Sequence, residues 1–219
     1  MRTDDEGTYF ELSPSNFFEV HLEILNFKGK TLPSLTSKEG KKFLLPDPNL
    51  LTNEEVFARV GLAYNNDGIL LRLESDKPVE KVFYPEFRDG DSFEVFIDTR
   101  DVKTSGFATR FCHHFFFLPE LIDGRSGGEI TRFRTEESHQ IADHKELIVK
   151  AHTSSKNYIL EVFIPAHCLH GYNPLEFDRI GFTYRINRPQ DPPQHFAVLA
   201  DEFKIEEQPS LWTSVTLKP

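Results

Sequence analysis

The chain has 219 residues and a formal net charge of −10, with 25 lysines and arginines against 35 aspartates and glutamates. An acidic surface repels phosphate groups, so the charge argues against binding to nucleic acid or to an anionic membrane. The sequence has no apolar run of membrane-spanning length and no N-terminal secretory signal pattern. We therefore predict a soluble protein that is cytoplasmic as the chain is given, or extracellular or periplasmic if a signal peptide has been removed.

Alternating apolar and polar residues recur along the chain, at 18–24, 93–97, 158–164, 180–186 and 211–217. This alternation predicts β-strands that each bury one face. Strand signals follow one another with turns between them, which favours an all-β fold, an antiparallel β-sandwich of roughly ten to twelve strands. A chain of this length fits one such domain, so we predict a single domain over 1–219.

Turn signals separate these segments. The run Asn65-Asn66-Asp67-Gly68 predicts a tight hairpin, because its residues tolerate positive φ. The glycine-rich stretch 123–128 is interpreted as a flexible loop, and 28–53 as a long connection. Helical signal is limited to one short turn at 166–170, which Gly171 would end.

The segment FATRFCHHFFFLPE at 107–120 places a cysteine and two histidines among phenylalanines. If 109–118 is a strand, His113 and His114 face opposite sides and cannot both bind one metal ion. At most one of them could join Cys112, and the remaining ligands would have to come from His139, His144, His152 or an acidic residue elsewhere. The alternative is a buried histidine bonded to a backbone carbonyl.

Three segments in order, GDSFEVFIDTR at 90–100, YILEVFIP at 158–165 and IGFTYRIN at 180–187, resemble the family 9 carbohydrate-binding modules and the related DOMON domains. The resemblance extends over about 55–217 and implies a β-sandwich. In sugar-binding members an acid, an arginine and an asparagine at matching positions hydrogen-bond the sugar. They would correspond here to Glu94, Arg110 and Asn187, with a buried ion pair between strands as the alternative.

The chain departs from this family in its aromatic residues. Sugar-binding members hold the ring between two tryptophans, whereas this chain has only Trp212, which we predict to pack in the core. The smaller aromatic residues Tyr84, Phe107 and Tyr184 are candidate platforms.

The sequence gives less support to catalysis, calcium binding or cysteine chemistry. Sequence signatures of catalysis such as G-x-S-x-G, H-E-x-x-H and the P-loop are absent, which favours a binding module over an enzyme. Acidic pairs such as Asp98 and Asp101 suit structural calcium better than catalysis. The two cysteines, Cys112 and Cys168, are predicted to be buried free thiols.

These observations together predict a non-catalytic domain that binds a saccharide through polar residues on a sandwich face. The predicted ligand-binding residues are Glu94, Arg110, His114 and Asn187. The alternative is a DOMON-like domain that binds haem or a metal in a redox or sensing role, with His113 or His114 as an axial ligand. A scaffold that binds another protein is a third interpretation.

Overall fold

The computed structural model describes residues 22–47, 55–103, 106–134, 136–196 and 204–219. These residues form eleven β-strands and four 3-10 turns, and they contain no α-helix, so no helix among them could cross a membrane. The strands are β1 (Leu22–Leu25), β2 (Ala58–Asn65), β3 (Gly68–Ser75), β4 (Ser92–Asp98), β5 (Cys112–Ile122), β6 (Arg125–Glu129), β7 (Ile148–Thr153), β8 (Tyr158–Pro165), β9 (Arg179–Asn187), β10 (Gln194–His195) and β11 (Thr213–Lys218). The 3-10 turns are Gly40–Phe43, Phe87–Asp89, Ala166–Cys168 and Pro209–Leu211.

The strands form two sheets. The seven-stranded sheet has the order β1-β11-β9-β4-β5-β6, with β10 also paired to β9, and the four-stranded sheet has the order β2-β3-β8-β7. Strand pairs are antiparallel except for β1 and β11, which run parallel. The predicted all-β sandwich is confirmed, and the parallel pair is a feature that the sequence did not indicate.

The main core lies between the sheets, because the apolar residues of each strand alternate toward that side. Phe93, Val95 and Ile97 of β4 are fully buried there. The alternate residues of β4, which include Glu94, point away from this core and lie on the outer face of the seven-stranded sheet. The sheet therefore presents polar residues on a surface that other segments of the chain can cover.

The predicted hairpin is present between β2 and β3. Asn65 pairs with Gly68 across a two-residue connection, and the Asn65 side-chain oxygen accepts a hydrogen bond from the amide of Asp67 at 2.9 Å. The predicted turn at 166–170 is also present as Ala166–Cys168, followed by Gly171 with a φ of 79°. The predicted strand at 18–24 begins outside the described residues, and only its last part is seen in β1.

The interpretation of 123–128 as a flexible loop is wrong, because most of it is strand β6. Only Asp123 and Gly124 form the turn, with φ values of 50° and 73°. Gly127 lies under Phe117, since a Cβ there would stand 2.7 Å from the Phe117 ring. A glycine in this strand thus marks close packing of a neighbouring ring rather than a loop.

The predicted strand at 109–118 starts later and runs further than expected, as β5 at Cys112–Ile122. A turn precedes it, in which the Cys112 amide donates to the Thr109 carbonyl at 3.0 Å and the Phe111 amide to the Thr109 hydroxyl at 3.3 Å. Arg110 therefore lies in this turn, exposed to solvent, and not on the strand.

Candidate functional site

A cluster of charged and polar side chains lies on the outer face of the seven-stranded sheet. Glu94 of β4 stands directly opposite Arg185 of β9 in the strand register, and His114 of β5 lies opposite Phe96. Asn187 shares the face of Arg185 because the two are two residues apart on one strand. We call Glu94, His114, Arg185 and Asn187, together with Arg88 from the turn Phe87–Asp89, the outer cluster.

The Glu94 carboxylate is the centre of the outer cluster and has no solvent exposure. Arg185 donates to it through Nε at 2.7 Å and Nη2 at 3.0 Å, and Asn187 donates through Nδ2 at 2.8 Å. His114 donates from Nε2 at 2.8 Å, and Arg88 donates from Nε and Nη2, each at 3.0 Å. Both carboxylate oxygens are thus saturated by protein donors.

The electrostatics of the outer cluster follow from these contacts. Burial raises the pKa of Glu94, but the hydrogen bonds and charges of His114 and Arg185 outweigh it and hold the pKa well below its usual range. Burial lowers the pKa of His114 despite the opposing influence of Glu94. Because a carboxylate only accepts hydrogen bonds, the His114 ring carries a proton on Nε2.

One side of the outer cluster is open. The Arg88 side chain is 42% exposed and its Nη1 donates to Glu206 at 3.2 Å. Glu206 is also 3.9 Å from Nη1 of Arg185. Arg88 and Glu206 therefore form the solvent-facing rim of a carboxylate site whose other members are almost fully buried.

Aromatic residues surround the outer cluster. Phe96 stacks on the His114 ring with centroids 4.1 Å apart, and Trp212 packs on Phe96 at 5.7 Å. On the other flank, Phe116 stacks between Phe87 at 4.6 Å and Tyr84 at 5.7 Å. Phe116 lies opposite Glu94 in the register, which brings this partly exposed tyrosine close to the cluster.

Trp212 is buried, with 2% exposure, and its Nε1 donates to the carbonyl of Ile205 at 2.8 Å. It packs in an apolar group on the outer side of the sheet, as the sequence predicted for a structural role. Of the smaller candidate platforms, Tyr184 belongs to the inner core, while Phe107 is 39% exposed.

The structure brings three of the four predicted site residues together, namely Glu94, His114 and Asn187. Arg110 makes no described contact with them, and its guanidinium instead lies 5.1 Å from the Phe111 ring. The guanidinium groups on Glu94 belong to Arg185 and Arg88, which the sequence interpretation missed. Arg185 could have been found, because alternation within β9 places it on the face of Asn187.

The acidic pair considered for calcium is engaged in local hydrogen bonds. Asp98 accepts from the amides of Arg100 at 2.9 Å and Val102 at 2.7 Å, and Asp101 accepts from Ser214 at 2.7 Å. Calcium would have to share these oxygens with such donors, and its binding stays a prediction.

The two cysteines are free and buried. Burial raises the pKa of Cys112 to about 12, with a further contribution from Asp98, so this thiol remains protonated at neutral pH. Its sulfur lies 3.4 Å from the amide nitrogen of Thr109 and packs with Trp212. Among the described residues, neither cysteine belongs to a group of three potential metal ligands that includes His114.

Comparison with known proteins finds no matching family model and no matching curated sequence. Solved structures do match. A family 9 carbohydrate-binding module from Caldicellulosiruptor kristjanssonii in complex with cellotriose has a TM-score of 0.59 at 14% identity, covering 91% of this chain and 94% of that one. The complex with glucose gives 0.60 at 13% identity, covering 90% and 95%.

A candidate carbohydrate-binding protein from Bacteroides uniformis gives a TM-score of 0.52 at 9% identity, covering 91% of this chain and 99% of that one. At such low identity these matches establish the fold alone. The resemblance seen in the three sequence segments is confirmed at that level. The chain has the β-sandwich fold of the family 9 carbohydrate-binding modules.

Proposed function

We propose that this chain is a non-catalytic carbohydrate-binding domain and that a saccharide binds at the outer cluster. The observation that carries the proposal is the buried Glu94 carboxylate, held by donors from adjacent strands on the outer face of the sheet. The fold is one in which other proteins have been solved with glucose and cellotriose. Adjacent sugar hydroxyls both donate and accept hydrogen bonds, so they fit a site built from a carboxylate and its donors.

Arg88 is the partner that a sugar displaces. His114, Arg185 and Asn187 are each at least nine-tenths buried and are fixed by regular strands. Arg88 comes from a short turn outside the sheet and is 42% exposed. A hydroxyl that replaces it donates to Glu94 and accepts from a neighbouring donor, which keeps the buried carboxylate satisfied.

Tyr84 supplies the apolar contact that a pyranose ring needs. It is partly exposed and stacks on Phe116, which lies opposite Glu94 in the strand register. Its ring face is smaller than an indole, and a single platform buries less of the sugar than two would. We therefore expect affinities weaker than those of a site with paired tryptophans.

Isothermal calorimetry with glucose and cellotriose, preceded by a glycan-array screen, tests the proposal. Glu94→Gln and Asn187→Ala should each weaken binding by about 1–3 kcal/mol, the range for hydrogen bonds that involve a charged group. Arg88→Ala should retain binding or tighten it, because it removes the competing donor. Melting temperatures of all variants show whether a loss of binding reflects unfolding.

Asp76→Ala is the matched control, since Asp76 forms an exposed ion pair with Arg59 at 2.7 Å on the four-stranded sheet. It should leave binding unchanged. Arg110→Ala tests separately the role that the resemblance assigns to Arg110. If no saccharide binds the wild type at millimolar concentration, the proposed function is wrong and the outer cluster is an internal ion-pair network.

A further inference from the structure

A second carboxylate lies on the inner face of the seven-stranded sheet, at the end of β6. Glu129 stands opposite Phe115 of β5, and it accepts from His113 Nδ1 at 2.9 Å and lies 2.7 Å from His139 Nε2. The side chains of His113 and Glu129 have no exposure, and that of His139 is 2% exposed. We call these three residues the inner cluster.

The three potential ligand atoms of the inner cluster lie within 4.8 Å of one another. Two imidazoles and one carboxylate that converge in this way form a donor set typical of zinc. Calcium is a poorer fit, because it prefers six to eight oxygen ligands. Two phenylalanine rings pack beside the inner cluster, since His113 stacks on Phe115 at 5.7 Å and His139 meets Phe133 at 4.9 Å.

The hydrogen bonds of His139 suit a metal ligand. Nδ1 of His139 lies 2.7 Å from the backbone carbonyl of Arg110, which can only accept, so Nδ1 carries a proton. Nε2 is then the ring nitrogen available to a metal ion, and it lies 2.7 Å from the Glu129 oxygen. A bond from Nδ1–H to a carbonyl is the usual support of a metal-bound histidine.

The same oxygen of Glu129 is crowded by a further donor. The Thr131 hydroxyl accepts from the amide of His114 at 2.8 Å, so its own proton points to Glu129 at 2.7 Å. The other Glu129 oxygen accepts from the amide of Ala142 at 2.8 Å. The carboxylate is thereby fixed in orientation by groups outside the cluster, as expected for a ligand that is held in place.

A buried ring nitrogen of His113 also fits a metal site. Its Nε2 is buried and makes no hydrogen bond of normal geometry. The backbone of His170 lies close to the ring, so a neutral His113 that binds a metal ion through Nδ1 would have an acceptor for the proton on Nε2. A buried polar atom without a partner is costly, and this arrangement removes that cost.

We propose that His113, Glu129 and His139 bind one divalent transition-metal ion, with zinc as the preferred ion. The ligand atoms are Nδ1 of His113, one carboxylate oxygen of Glu129 and Nε2 of His139. Ligands about 2.0–2.1 Å from a tetrahedral ion are roughly 3.3 Å apart, so the three groups move back by about 0.5 Å on binding. The hydrogen bonds from Thr131 and Ala142 keep the orientation of the Glu129 carboxylate during this movement.

Zinc calorimetry on the full chain, after chelator treatment and removal of any affinity tag, tests the proposal. We expect about one zinc ion per chain and a melting temperature that rises with free zinc. Loss of a residue that only supports a metal ligand weakens metal binding by roughly 10–100-fold. His139→Ala removes a ligand itself, so it should weaken zinc binding by more than that. Cobalt binding to the wild type should give the intense visible bands of a low-coordinate N/O site, which requires no variant to fold.

His167→Ala is the matched control, because His167 belongs to the other group of potential ligands in the described residues, Glu146, His167 and Cys168, and is 63% exposed. It should leave zinc binding unchanged. If zinc binding is lost in His167→Ala and kept in His139→Ala, the proposed site is wrong. If the wild type binds neither zinc nor cobalt at micromolar concentration, the proposed site is wrong and the inner cluster is a hydrogen-bonded group without a metal ion.

Discussion

The outer and inner clusters are built on the same plan but neutralise their carboxylates differently. Each joins one glutamate to one histidine of the adjacent pair His113 and His114. Glu94 has two arginines, Arg185 and Arg88, whose charge does not depend on pH in the physiological range. Glu129 has only imidazoles, apart from neutral donors.

The pKa values of both carboxyl groups reflect this difference. In each case burial raises the pKa and polar partners lower it further than burial raises it. For Glu94 the partners are His114 and Arg185, and for Glu129 they are His113 and His139, which bring its pKa to about 2. A carboxylate with arginines is complete within the protein and suits a neutral polar ligand, whereas one with histidines alone suits a metal ion.

Removal of the outer carboxylate should have the largest effect on stability. Glu94→Ala leaves Arg185, 7% exposed, without its main counter-charge, and breaking a buried ion pair costs about 3–5 kcal/mol. Urea unfolding followed by circular dichroism measures the change. Asp76→Ala, which breaks an exposed pair, should change the free energy of unfolding by at most about 1 kcal/mol.

Equal effects of Glu94→Ala and Asp76→Ala on the free energy of unfolding would show that the outer cluster is not a buried network.

Zinc binding gives a second comparison of the two clusters, since Glu94 does not contact the inner cluster among the described residues. A Glu94→Ala protein that still folds should therefore bind zinc like the wild type.

A substitution at Trp212 should have a smaller effect, confined to the outer side of the sheet. Trp212→Phe keeps an aromatic ring against Phe96 but leaves the carbonyl of Ile205 without the indole N–H. We expect a loss of about 1–3 kcal/mol, the cost of a buried unsatisfied group. Thermal unfolding checks this, and unchanged stability combined with altered saccharide binding would instead make Trp212 a ligand platform.

The smallest expected effect is a change in pH dependence. The pKa of Glu94 is lower in the folded protein than in the unfolded chain, so its ionised form stabilises the fold above the unfolded pKa of about 4.3. That contribution is lost as the pH falls from there toward the folded pKa. The difference in unfolding free energy between wild type and Glu94→Gln should therefore shrink as the pH is lowered from 6 to about 3. A difference that stays constant over this range would contradict the assignment.

Much of the fold was predictable because alternation reports which face of a strand is buried. The patterns at 93–97, 158–164 and 180–186 became β4, β8 and β9 with little change in bounds. The pattern failed where side chains carry no alternation. In β6, glycines have no side chain to report a face, so a strand under two phenylalanine rings was interpreted as a loop.

The site was predictable to the extent that its residues lie on strands. Glu94, His114 and Asn187 were named from the sequence, and strand alternation would have added Arg185. Arg88 lies in a 3-10 turn, where no periodicity indicates direction. Arg110 was placed with the others because a turn set by the Thr109 side chain was interpreted as strand. The contact between the rings of His113 and His139 depends on a long connection between them, and no local sequence pattern indicates it.

The adjacent histidines of β5 also specify how that strand aligns with its neighbours. A slip of β5 by one residue would turn every side chain to the opposite face. One histidine would then take the place of the other, and one of the two buried carboxylates would face Cys112 or Phe115 instead of its histidine. The consecutive phenylalanines of β5 occupy both faces, so hydrophobic alternation alone does not distinguish the two alignments. The two histidines therefore give an otherwise ambiguous hydrophobic strand one energetically preferred alignment during folding.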